Sequence, residues 1–132
     1  MVRAREGQRA DDFHEWRKQI KALRYQLRLV QACAPAIRRE AETLHRAETC
    51  LGDEHNVVVL CAELSKDSSL CDVVRLRHAA NQYQCALRKE AVAAMARMYT
   101  RKPGVFVRGI KRAWKAWQRR EAGRSRKPRR AA

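Results

Sequence analysis

Acidic residues are scarce in this sequence: 14 Asp and Glu stand against 30 Lys and Arg, which gives a formal net charge of +16 and an isoelectric point near 10.7. Solubility needs far less, so the excess points to a polyanionic partner: nucleic acid, polyphosphate or an acidic membrane surface. Aromatics are also few, at 6%. A core here has to be built from Leu, Val, Ala and Ile, as in helical bundles. No apolar run is long enough to cross a bilayer, and MVRAREGQRADD at the N-terminus lacks the apolar stretch of a signal peptide. The expectation is a soluble, cytoplasmic protein. Cys33, Cys50, Cys61, Cys71 and Cys85 contain no CxxC pair and no Cys/His cluster at zinc-ligand spacing. That speaks against a disulfide framework or a metal site and for reduced, buried thiols.

With 132 residues the chain has room for one modest core. Residues 1–10 are polar and basic and read as a flexible arm. Asp11 or Asp12 can cap a helix running to about Cys33, whose apolar positions Phe13, Trp16, Ile20, Leu23, Leu27 and Val30 recur at spacings of three and four. Pro35 stops it and suits the first turn of a second helix at 36–51, with Ile37, Leu44, Ala47 and Leu51 inward and Gly52 closing it. Asp53 can cap a short third helix through Val57, Leu60, Cys61 and Leu64, and SKDSS at 65–69 reads as a connector. A long helix of about 69–100 carries Val73, Leu76, Ala80, Tyr83, Leu87, Ala94 and Met98 on one face. KPG at 102–104 breaks it, and a last helix of about 105–120 carries Phe106, Ile110, Trp114 and Trp117. Residues 121–132 lack any apolar residue larger than Ala and are expected to form a disordered basic tail. No segment has strand periodicity. The expected fold is all-α: an antiparallel four-helix bundle over 11–120 with an additional C-terminal helix.

HEWRKQIKALRYQLR, residues 14–28, holds five permanent cations. On a helical wheel His14, Arg17, Lys18, Lys21, Arg24, Tyr25 and Arg28 fall within an arc of about 120°, roughly 130° from the apolar stripe. That arc contains no acid, whereas an ordinary solvated face interleaves Glu with Lys. At ~0.2–0.5 kcal/mol per like-charged neighbour, the arrangement costs roughly 1–2 kcal/mol in the free protein, offset in part by Glu15 reaching Lys18. Along the axis the arc spans about 21 Å, a length that suits an extended anion. Arg77, Asn81, Gln84 and Arg88 repeat the pattern more weakly on the long helix and could face the first stripe across a groove. The alternative for both helices is a solvated surface on a basic protein. His14 can add a protonated donor at the head of the arc or serve as a surface residue. Tyr25 can donate to a phosphate oxygen or pack at the groove wall.

FHEWRKQIKALRY, residues 13–25, resembles the signature helix of the CHAD domain (conserved histidine α-helical domain), which reads His-x-x-Arg-x-x-x-Lys-x-x-Arg-Tyr. The match falls on His14, Arg17, Lys21, Arg24 and Tyr25. CLGDEHNVVVL, residues 50–60, is similar to the family's Leu-Gly-x-x-x-Asp-x-x-Val-Leu segment through Leu51, Gly52, Val59 and Leu60, with Asn56 in place of the usual Asp. The resemblance implies two four-helix repeats about a pseudo-two-fold axis, with a basic groove or pore that binds inorganic polyphosphate and is lined by the signature cations. This chain spans one such repeat, about residues 11–100, in the style of the second. A homodimer would then supply the missing half, because an unpaired repeat exposes apolar surface. Association with polyphosphate granules would follow.

The leading expectation is non-enzymatic binding of polyphosphate by His14, Arg17, Lys18, Lys21, Arg24, Tyr25, Arg28, Arg77 and Arg88, with no cofactor and no metal. A basic helical nucleic-acid-binding protein is the alternative, although helix-turn-helix, zinc and aromatic RNA-platform patterns are missing. Phosphate hydrolysis would need clustered carboxylates for Mg²⁺, and there is no Glu-x-Glu-x-Lys. On this reading, Ala at Arg17, Lys21 and Arg24 removes binding, keeps helicity and relieves repulsion.

Overall fold

A computed structural model describes residues 10–66 and 72–125, and among them every regular element is helical. Helix α1 spans Ala10–Val30, with Asp11 and Asp12 in its first turn, where negative charge complements the helix dipole. Its stripe is buried at Phe13, Trp16, Ile20 and Leu27, while Leu23 and Val30 pack partly against the core. A tight 3₁₀ turn at Gln31–Cys33 follows, and Ala34 is extended (φ −160°, ψ 144°), as the residue before proline prefers. Pro35 then opens helix α2, Pro35–Leu64, at a position where its missing N–H costs nothing.

Two helices were expected over this stretch, divided at Gly52 and Asp53; the structure has one, unbroken for 30 residues. Asp53 is an exposed residue inside it and caps nothing. The apolar spacing explains why. Ile37, Ala41, Leu44, Ala47, Cys50, Leu51 and Val57 keep one buried stripe across the glycine, and that packing outweighs the roughly 1 kcal/mol that Gly costs in a helix. Nor does Gly52 take the left-handed backbone of a helix cap. It faces Arg17: a Cβ there would lie 3.5 Å from both Nε and Nη2 of that side chain, an ordinary contact distance.

Helix α3, Val73–Tyr99, buries Ala80, Leu87, Ala91 and Met95. The Trp16 indole donates to the Tyr99 hydroxyl at 2.8 Å, and the Arg88 guanidinium lies 4.4 Å from the Phe13 ring centroid, so α1 meets the C-terminal half of α3. Leu76 and Tyr83, expected on the core face, precede that half and are exposed. Helix α4, Pro103–Ser125, is opened by its proline and packs Phe106, Ile110, Ala113 and Trp117 partly against the core. Trp114 is stacked on Trp117, with ring centroids 5.2 Å apart. This helix continues past residue 120, where a tail was expected. Arg120 donates to the Cys33 carbonyl at 2.9 Å, and Arg124 pairs with Glu121 one turn earlier. The N-terminal arm at 1–9, Cys71 with most of the SKDSS connector, and residues 126–132 lie outside the described residues.

Along α1 and α2 the partners run in opposite order: His14 with His55, Arg17 with Gly52, Arg24 with Glu48. The same holds from α2 to α3 and the residues after it, with Glu54 against Arg88 and Glu40 against Arg101. Helix α2 thus sits between the other two. Cys33, Cys50, Cys61 and Cys85 are free thiols. Burial pushes the Cys50 thiol pKa above its ordinary value, helped by the Glu90 and Asp53 carboxylates.

Continuity of α2 makes Gly52→Ala a stabilising change. A methyl group meets Arg17 at ordinary contact distance, so thermal unfolding should show a gain of about 1 kcal/mol from helix propensity. A helix-stop glycine would give a loss instead.

Candidate functional site

The signature stretch of α1 meets α2 along a surface cleft of about 290 Å³ lined by Arg17, His45, Glu48, Gly52, His55 and Asn56, among others. The Arg17 guanidinium rests on the bare backbone of Gly52. It makes no ion pair with any described residue, and its buried Nε has no hydrogen-bond partner among them. His14 stacks on His55 with ring centroids 5.0 Å apart, and its Nδ1 is likewise buried without a partner. Unsatisfied buried donors cost about 1–3 kcal/mol each, so positions that keep them usually serve something other than stability.

The remaining residues of the arc divide into two groups. Lys21, Tyr25 and Arg28 are exposed, and neither Lys21 nor Arg28 makes an ion pair among the described residues. Lys18 is exposed and sits 3.3 Å from Glu15, the one acid within its reach on α1. Arg24 differs: its Nε lies 2.6 Å from Glu48 Oε2, with both side chains mostly buried. That contact is a charge pair without hydrogen-bond alignment. Arg24 Nη1 also lies 3.2 Å from His45 Nδ1, and its guanidinium covers the Tyr25 ring at 5.0 Å. Replacing Arg24 therefore strands a carboxylate and does not relieve repulsion, contrary to the expectation for the free helix.

Helix α3 does not bring Arg77 and Arg88 to the cleft. Arg77 is exposed. Arg88 turns inward, donating from Nε and Nη2 to Glu54 Oε1 at 2.9 and 2.6 Å. Gln84 donates to the same oxygen at 2.8 Å. Glu54 is 1% exposed, which makes this the buried charge of the protein core.

Reading the sequence for cations overlooked the α2 wall: His45, Glu48, His55 and their neighbours. The signal was available in the spacing, since residues 45, 48, 49, 52 and 56 share one helical face with Gly52. Among the described residues, no helix is long and apolar enough to cross a membrane.

The family model of the CHAD domain matches residues 1–65 of the chain, a span that includes both α1 and the block around Gly52. The match ends before α3, short of the residue 100 expected from the resemblance. No curated protein and no solved structure matches.

The two inward arginines should behave as structural residues. Arg88→Ala leaves Glu54 charged and buried, and should lower unfolding free energy by about 3–5 kcal/mol in chemical denaturation. Arg24→Ala should cost less, about 1–3 kcal/mol, and Arg77→Ala almost nothing.

Proposed function

Because residues 1–65 of this chain belong to the CHAD domain family, we propose that the protein binds inorganic polyphosphate, without hydrolysing it, along the outer face of α1. The observation that carries this reading is Arg17. The fold sets it beside Gly52 in a cleft that Glu48 and Asp53 also line, yet it makes no ion pair among the described residues. Lys21, one turn on, and Arg28, two turns further, continue the same row, exposed and without ion pairs among the described residues. A phosphate chain laid along them gains forked contacts from arginine and point-charge contacts from lysine. Most of the affinity then comes from released counterions, so it falls steeply with salt. His14 and His55, stacked on each other, border the row. Arg24 contributes indirectly by neutralising Glu48, which lines the same cleft as Arg17.

Helix α1 presents Tyr25 as its one exposed aromatic, beneath Arg24, which offers no run of rings for stacking bases. That favours a ligand made of phosphate alone over nucleic acid. Binding without turnover stays the reading of the sequence, which holds no Glu-x-Glu-x-Lys. We read the helices as an antiparallel bundle equivalent to one CHAD repeat, and a second copy of the chain as its partner. Val59 and Leu60 near the end of α2, with Val74, Leu76 and Tyr83 on α3, are the exposed apolar residues that pairing would cover.

Three substitutions test the reading without touching the buried pairs. Arg17→Ala, Lys21→Ala and Arg28→Ala together should lower affinity for long-chain polyphosphate at least tenfold in a filter-binding assay, with unchanged circular dichroism. At physiological salt and equal phosphate, duplex DNA should fail to displace polyphosphate from the unaltered protein. Displacement by DNA would transfer the function to nucleic-acid binding.

A further inference from the structure

Helix α2 has a second basic cleft, on the side facing away from the first. It measures about 580 Å³ and lies between the start of α2 and the end of α3, with Arg39, Arg46, Arg97 and Arg101 around it. Residues 36–46 and residues 45–56 of α2 point about 160° apart around the helix axis, so the two clefts open to different solvent. No residue lines both.

We propose that this cleft is an anion site of its own, taking a short condensed phosphate independently of what α1 binds. Four guanidinium groups face a single carboxylate, Glu40, and that carboxylate is already engaged by Arg101 at 2.5 Å. Arg101 is also held over the Phe106 ring at 5.2 Å, so one donor fork is fixed before any ligand arrives. Arg39, Arg46 and Arg97 are exposed and make no ion pair among the described residues. Arg97, in the last turn of α3, suits the dipole of its own helix. Arg39 has no such return. It stands near the start of α2, where a cation opposes the dipole and no acid occupies the first turn. Ala36, also in the lining, belongs to that first turn, where the helix dipole favours an anion.

The lining also sets the ligand class. It contains no aromatic side chain and one sizeable apolar residue, Met98. Nothing there stacks a base or covers a sugar ring, so recognition is confined to phosphoryl oxygens. The volume is that of a small-molecule site, within the range of about 300–1,000 Å³ usual for such pockets. A chain of two or three phosphates matches the three unpaired forks, beside an Arg101 already engaged by Glu40, better than a single phosphate does.

Titration calorimetry with tripolyphosphate, without divalent metal and at moderate salt, decides the matter. The unaltered chain should bind two equivalents. Arg46→Ala with Arg97→Ala, both exposed and outside the core, should leave one, and Arg17→Ala with Lys21→Ala should leave the other. If the Arg46/Arg97 variant keeps the full stoichiometry and heat, the second site is refuted while the α1 reading stands. If that variant loses one equivalent and the Arg17/Lys21 variant loses none, the second site holds and the α1 reading fails.

Discussion

The Glu54 carboxylate is the charge around which the helices are arranged. It is 1% exposed and accepts from Arg88 and Gln84, and Arg88 in turn lies across Phe13. One acid on α2 therefore fixes the register of α3 and the seat of α1. A buried ion pair of this kind adds little net stability over an apolar core, but breaking it leaves an uncompensated charge, so it specifies the arrangement strongly.

Acids are few in this chain, and where they go decides what is left over. Glu54 and Glu48 face arginines at buried or nearly buried positions, and Glu40 holds Arg101. Each removes one cation from the pool. Among the described residues, the outer face of α1 receives almost none of this compensation: Glu15 reaches Lys18, and Arg17 has no ion pair. Folding thus concentrates positive potential by spending carboxylates inside. The cleft beside α1 and the cleft at the other end of α2 are both consequences of that distribution. If both take phosphate as proposed, the two affinities share one origin, counterion release, and differ in geometry.

The apolar stripes were legible in the sequence because helical spacing is local. Phe13, Trp16, Ile20 and Leu27, and then Ile37, Leu44, Ala47 and Leu51, all lie in the core. Gly52 misled because a helix-ending glycine and a glycine inside a continuous helix look identical in one dimension. The buried stripe that runs on through Val57 tells them apart. Arg24 and Arg88 misled for the same reason. Their acid partners lie 24 and 34 positions away, on another helix, and a wheel drawn for one helix cannot contain them. The run through Glu121 to Ser125 was read as tail because it has no apolar face. It is held instead by the Arg120 contact to the Cys33 carbonyl and the Glu121–Arg124 pair.

On the proposed function, Arg17, which makes no ion pair among the described residues and lies beside Gly52, is a group that a phosphate chain engages. Side-chain Nε–H resonances of arginine, followed by NMR while polyphosphate of defined length is titrated in, address that group directly. The account predicts that the Arg17 Nε–H signal shifts and becomes protected from exchange at substoichiometric ligand, while Arg88, held by Glu54, does not move. An Arg17 signal that stays put while arginines elsewhere shift would contradict it.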